Sequence, residues 1–347
     1  MAHHEIGSEF WDIPLCDTTF DGIPDDAEWY VSGRSALCRV IRDITESHES
    51  FCKIALPSWC CDSMIIPFVT NGIEVDFYSV YVDNDQVLVR DFSNAEGCDA
   101  ILIMDYFGYT MESAAIGFSG IVIRDVTHSI FSTQYDDYDY AFASLRKWAG
   151  FWTGGVSWSR TGWLTKAGRV AQQDQYVSLR KAAMAGKAEY IRGVRKDKGY
   201  LQEFADAEEL LDGFGISKAA ERDIKNAKHI DVELLRAKRR ANAQALLQAV
   251  AGIAMFPSIK LNECPLFVPI LVKDGRRESL RRFFIENDVY CPVHWRESKY
   301  HVLNKQTRQI YDNELSLVCD QRYELADMER VCSLIESYFS NKKILRC

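Results

Sequence analysis

Ile121-Val122-Ile123-Arg124-Asp125-Val126-Thr127-His128 and, a little further on, Tyr140-Ala141-Phe142-Ala143-Ser144-Leu145-Arg146-Lys147-Trp148 share one pattern. Each is a short, nearly unbroken apolar run that stops at a polar residue. Runs of this length without alternation fit strands covered on both faces. Similar runs lie on either side, at Lys53–Leu56, Ile73–Val80, Ala100–Asp105, Gly120–Arg124, Asp139–Ser144 and Gly155–Arg160. Helical spacing separates them. Arg34–Ser47 puts Leu37, Val40, Ile41 and Ile44 on one face, and Cys60–Thr70 and Met111–Phe118 also read as helices. Strands alternating with helices predict an α/β domain built on a mostly parallel sheet.

From Leu164 the sequence becomes charged and helical. One helix is predicted over about Lys166–Arg192 and another over about Ser217–Val250, with a glycine-rich break at Asp212-Gly213-Phe214-Gly215. A smaller α/β unit follows: strand Leu266–Val272, helix Gly275–Asn287, strand Glu314–Val318 and closing helix Leu325–Phe339. The division expected is a large domain over 1–250, with a helical extension over about 161–250, and a small C-terminal domain over 251–347.

The composition narrows the function. With 347 residues, 47% hydrophobic and 26% charged, the chain has the balance of a soluble globular protein. A net charge of −9 disfavours nucleic acid, whose phosphates require clustered positive charge. Met64–Val69 and the other apolar runs are far short of the ~20 residues that span a bilayer, so no membrane partner is expected. The start, Met1-Ala2-His3-His4-Glu5, lacks the apolar core of a secretion signal, which points to the cytoplasm. The eleven cysteines contain no C-x-x-C pair, and the histidines show no H-E-x-x-H spacing. Reduced thiols packed as small hydrophobes are expected, and no metal.

Four polar positions at strand ends or helix starts are candidates for chemistry, because ligands of open α/β sheets bind there. Ser32-Gly33-Arg34-Ser35 opens a helix and is either a phosphate-binding turn or an ordinary N-cap. Leu56-Pro57-Ser58-Trp59-Cys60-Cys61 carries an aromatic residue that is either core or a ring platform. Asp125 and His128 are either an acid and an imidazole at work or a salt-bridged aspartate and a satisfied histidine. Lys147 follows Ser144 and precedes Thr153-Gly154-Gly155. Aromatic neighbours disfavour its charged form and so help it act as an amine nucleophile.

Taken in order, these four segments resemble the DegT/DnrJ/StrS family of aminotransferases, pyridoxal 5′-phosphate (PLP) enzymes of fold type I. Asp105-Tyr106-Phe107-Gly108 and Asp320-Gln321-Arg322-Tyr323 extend the resemblance toward the C-terminus. It implies a large domain with a mostly parallel central sheet plus a small C-terminal α/β domain. It assigns Lys147 as the Schiff-base lysine and proton carrier, Asp125 as partner of the pyridine nitrogen and His128 as neighbour of the ring. Gly33, Arg34, Ser35 and Ser144 would hold the phosphate. Cys61 stands where relatives place the ring-stacking aromatic, with Trp59 as the alternative face. The family's Asn-Tyr-Arg segment is not recognisable, and Arg236-Ala237-Lys238-Arg239-Arg240-Ala241-Asn242 reads as a solvated helix face.

The expectation is therefore a cytoplasmic homodimeric aminotransferase. It would move an amino group from an amino acid, glutamate by analogy, to a keto sugar, free or nucleotide-linked. The alternatives are another PLP-dependent reaction on a non-sugar substrate (transamination, dehydration or lyase) and a non-catalytic binding member of the fold. The long helical stretch Ser217–Val250 is read as having few internal partners, hence as a surface for a second subunit.

Overall fold

The computed structural model describes residues 4–83, 87–111, 117–132, 137–168 and 170–344, with the backbone alone from 341. The first half runs β1 (Ile6–Gly7), β2 (Glu28–Tyr30), α1 (Gly33–Ser47), β3 (Lys53–Pro57), α2 (Asp62–Thr70), β4 (Glu74–Val82), β5 (Leu88–Asp91), β6 (Ala100–Met104), β7 (Ile121–Asp125), β8 (Tyr140–Ser144) and β9 (Gly155–Ser159). The second half runs α3 (Asp174–Ile191), α4 (Tyr200–Leu211), α5 (Glu221–Lys228), α6 (Val232–Val250), β10 (Phe267–Leu271), α7 (Arg277–Glu286), β11 (Val289–Tyr290), α8 (Lys305–Asn313), β12 (Glu314–Val318) and α9 (Leu325–Ile344).

Eight strands form one sheet in the order β2-β9-β8-β7-β6-β3-β4-β5. Its five central strands, β8-β7-β6-β3-β4, pair in parallel, and antiparallel strands finish both sides. All six strands predicted in the first half are present. Their apolar runs are unbroken because helices cover the faces: β6 and β8 are buried along their whole length. On one side α1 buries Leu37, Val40, Ile41 and Ile44, the face predicted from spacing. Two glycines set where that helix starts. A Cβ on Gly155 would sit 1.9 Å from the Ser32 carbonyl oxygen, and one on Gly33 would sit 3.1 Å from Ser144 Cβ. The first turn of α1 therefore lies against the ends of β8 and β9.

The predicted helix Lys166–Arg192 begins only at Asp174. Upstream of it, Asp43 of α1 accepts from the Thr165 amide (2.8 Å) and hydroxyl (2.7 Å), while Arg39 donates to the Thr165 carbonyl (2.7 Å). A buried ion pair thus ties this backbone to α1. The predicted helix Ser217–Val250 is two helices. Asp231 caps the second by accepting from Leu234 N (2.9 Å), and the N-terminal segment bonds across the break, Cys16 N donating to His229 O (2.9 Å). Helices α4 and α8 and the edge strands β2 and β5 were not anticipated. Residues 112–116 of the helix expected at Met111–Phe118 lie outside the described residues.

Strands β10 and β12 pair antiparallel at the heart of the C-terminal unit. Its core joins Val268, Leu315 and Leu317 to Phe284, Met328 and Val331, and also to Ala243, Leu246 and Val250 of α6. The packing boundary between the units therefore falls within α6, not after it. This contact also removes the reason for reading α6 as an unpartnered surface. The basic run on α6 is solvated only in part, with Arg239 and Asn242 turned inward. Arg239 is fully buried, and its guanidinium donates to the carbonyls of Leu266 (3.0 Å), Pro265 and Trp148 (both 3.3 Å), while buried Asn242 donates to those of Asp320 and Tyr323. Among the described residues no helix is long and apolar enough to cross a membrane.

Candidate active site

The C-terminal ends of β7 and β8 and the first turns of α1 and α2 surround a cavity of about 430 Å³. This lies within the ~300–1,000 Å³ of typical small-molecule sites. Gly33, Arg34, Cys61, Asp125, His128, Ser144 and Lys147, seven of the nine residues expected from sequence, line it together.

Thr127, which sequence reasoning passed over, joins the two strand ends. Its amide donates to Asp125 Oδ1 (2.8 Å), its hydroxyl accepts from Ser144 N (3.1 Å) and its carbonyl accepts from Trp148 Nε1 (2.7 Å). The Asp-x-Thr spacing was the available signal, since aspartate side chains commonly bond the backbone two residues on. Asp125 is buried, and burial raises its carboxyl to about 6 against the opposing effect of Thr127 and Lys147. Burial, together with the nearby His294 and Lys147, pushes the His128 imidazole well below its usual value, so it is neutral. Its Nδ1 accepts from Phe107 N (3.3 Å), which leaves the proton on Nε2.

Lys147 closes a short turn after β8 and is exposed to the cavity. Its neighbour Trp148 is fully buried, and the Trp148 carbonyl accepts from Gln321 Nε2 (2.8 Å) and Arg239 (3.3 Å), whose guanidinium lies 4.6 Å from the ring. The base of the lysine is thus fixed by the C-terminal unit and α6. Lys147 lines the cavity together with Asp125, Cys61 and His128.

Two assignments need correction. Trp59 is fully buried outside the cavity, stacked on Tyr106 (4.8 Å, 9°), and its Nε1 donates to His294 O (2.7 Å). The aromatic side chains that line the cavity are Phe142 and Trp295, the latter stacked on His128 at 5.8 Å and 19°. Ser35 also lies outside: its hydroxyl donates to Gly215 O and accepts from Ser217 N (3.0 Å), and its amide donates to Ser32 Oγ (3.2 Å). Ser32 O accepts from Ala36 N (3.0 Å), so the Gly33 and Arg34 amides are left at the wall, as first-turn amides lacking an intrahelical acceptor.

Arg34 is held by the end of α4, donating to Asp212 Oδ1 (2.7 Å) and to Leu211 O (3.4 Å). With Asp212 largely exposed, such a pair is worth ~0–1 kcal/mol. If the cavity takes the PLP that the sequence resemblance implies, Arg34→Ala should change its affinity by less than about tenfold, the equivalent of 1.4 kcal/mol, in a spectroscopic titration. A larger loss would mean that the guanidinium leaves Asp212 for an anion in the cavity.

No family model matches the chain, and no curated protein does. Solved structures resemble it in fold. PseC of Helicobacter pylori, an aminotransferase involved in the biosynthesis of pseudoaminic acid, is 15% identical over 96% of this chain and 100% of its own, with a TM-score of 0.63. The sugar aminotransferase CalS13 of Micromonospora echinospora is 14% identical over 90% of this chain and 87% of its own, TM-score 0.59. NtdA of Bacillus subtilis, solved with bound cofactor PMP, is 14% identical over 90% of this chain and 72% of its own, TM-score 0.59.

Proposed function

We propose that this chain, which has the fold type I architecture of PLP-dependent transferases, belongs with the DegT/DnrJ/StrS aminotransferases. On this reading it moves an amino group from an amino acid, glutamate foremost, to a keto sugar, free or nucleotide-linked. The observation that carries the reading is the meeting of Asp125, His128, Ser144 and Lys147 in one cavity at the strand ends. The sugar acceptor rests on likeness of fold to CalS13 and PseC. The homodimer and the cytoplasmic location rest on the same analogy.

The residues fit the cofactor. A buried carboxylate raised to about 6 lacks a strong cationic partner, and a protonated pyridine nitrogen would supply one. Glycine at 33 keeps clear the space beside Ser144 that a side chain would fill. The Gly33 and Arg34 amides, at the positive end of α1, and the Ser144 hydroxyl would hold the phosphate. Bound PLP supplies an electron sink for the substrate's Cα carbanion. Asp125 would keep the ring nitrogen protonated, and His128 would present its Nε2 proton to the ring's phenolic oxygen. Trp295 and Cys61, which line the same cavity, would border the ring. Lys147 would hold the cofactor covalently and, once displaced by substrate, carry a proton from Cα on its Nζ.

The test is a half-reaction. Adding glutamate to the PLP-loaded protein should convert the bound cofactor to its pyridoxamine form, read by absorbance, and a keto sugar should reverse the change. Conversion by none of a panel of amino donors would defeat the aminotransferase reading and leave another PLP-dependent reaction or a binding role.

A further inference from the structure

A second cavity, of about 530 Å³, shares His128, Arg146, Lys147 and Glu208 with the first and opens toward the N-terminal segment, the α3–α4 pair and the C-terminal unit. In a chain of net charge −9, six cationic side chains face four carboxylates around this space. Most of the cations are already paired. Arg322 donates twice to Asp320 (2.9 and 2.8 Å) and also to the carbonyls of Glu9 and Ser8. Lys198 is bound to Glu5 (2.7 Å) and the Tyr290 hydroxyl (3.0 Å). Arg281 is 42% exposed, so water reaches it.

Arg146 and Arg180 differ. Their side chains are 13% and 2% exposed, and Glu208 is shared between them. Glu208 lies close against Arg146 and 3.4 Å from Arg180. The other contacts of Arg180 are as long, 3.6 Å to Glu9 and 3.4 Å to the Phe151 carbonyl. The Nε of each guanidinium is buried without a hydrogen-bond partner. Buried charges are ordinarily paired, and here only Arg146 has a close carboxylate, while Arg180 has two distant ones, Glu208 and the half-exposed Glu9. A planar guanidinium is suited to bidentate contact with a carboxylate or phosphate.

We propose that Arg180, with Arg146, is the anion-recognition element of the substrate chamber, binding a carboxylate or phosphate group of a substrate whose reacting atom lies at Lys147. Glu208 is the internal counter-ion with which that group competes. The proposal rests on the aminotransferase reading for the identity of the substrate, but not for the anion site itself. It assigns recognition to the α3–α4 pair, which contributes Arg180 and Glu208, in contact at 3.4 Å, and is held together by the core of Ala183, Met184, Tyr200 and Phe204.

The experiment is a calorimetric titration of the full-length protein, incubated with PLP, using glutarate and pyrophosphate as probes. Wild type should bind at least one of them saturably. Arg180→Met should weaken that binding by about tenfold or more, the ~1.4 kcal/mol or more of a charge-assisted contact, with Arg180→Lys recovering part of it. Glu208→Gln should tighten it several-fold, a gain that damage to the fold cannot produce. Binding of glutarate alone identifies a dicarboxylic amino donor, and binding of pyrophosphate alone a phosphate-bearing acceptor. Failure of wild type to bind either probe, or unchanged affinity in Glu208→Gln, overturns the proposal. A protein that takes up no PLP yet still shows the opposed effects of the two variants would defeat the aminotransferase reading and leave the anion site standing.

Discussion

Replacing Lys147 by alanine is expected to lower turnover by about four orders of magnitude or more. One amine serves two steps, holding the cofactor and moving the proton, and proton transfer by a positioned side chain alone contributes roughly 10²–10⁴. The structure sharpens a chemical test of the same point. Borohydride reduction of the PLP-loaded protein, followed by peptide mapping, should place the label on Lys147. Lys53 is unsuited because its ammonium is bound by Glu74 (2.9 Å) and Asp76 (2.8 Å) at the opposite ends of the strands. The real competitor is Lys187, whose amine burial lowers to about 7. It is, however, fully buried against Glu5 and outside both cavities. A label on Lys187, or activity of Lys147→Ala near that of wild type, would reject the assignment.

The difference between what the sequence disclosed and what it hid follows from how far apart the interacting groups lie along the chain. Asp125, Ser144 and Lys147 could be read because each belongs to a run whose neighbours define the strand and its end, so position in the chain implied position in the sheet. The tryptophan at the cavity could not. Trp59 has the right local setting after Pro57, but Trp295 packs against it at 5.4 Å and occupies the cavity side. Nothing near residue 59 announces a tryptophan contributed by the other unit. Arg239 failed for the same reason. A basic run at helical spacing is usually solvated, and only the folded chain brings the carbonyls of Trp148, Pro265 and Leu266 to one guanidinium. The false start of the helix at Lys166 shows a third case, in which the buried pair Arg39–Asp43 captures backbone groups that the local sequence would have given to a helix. Helix spacing records propensity, but not competing partners elsewhere in the fold.

Asp125→Asn is expected to have opposite effects on the empty and the loaded protein. Burial raises the Asp125 carboxyl from 3.8 to about 6, so in the cofactor-free fold its charged form is disfavoured. For an acid raised in this direction, the stabilising contribution is complete below pH 3.8, the unfolded value, and is lost as the pH rises through about 6. A displacement of about two pH units corresponds to ~3 kcal/mol at 1.36 kcal/mol per unit. Asparagine keeps the shape and an acceptor for the Thr127 amide but carries no charge. The cofactor-free variant should therefore match wild type near pH 4 and exceed its stability by up to ~3 kcal/mol at pH 8, measured by urea unfolding. With PLP bound the order should reverse. The carboxylate gains a protonated ring nitrogen as its partner and asparagine does not, so PLP should stabilise wild type more than the variant. Turnover of the variant should fall by orders of magnitude, because an unprotonated ring is a poorer electron sink. If the two proteins show the same pH dependence of stability without cofactor, Asp125 is not the strained carboxylate that the cavity geometry makes it. If PLP stabilises both equally, the ring nitrogen is not its partner.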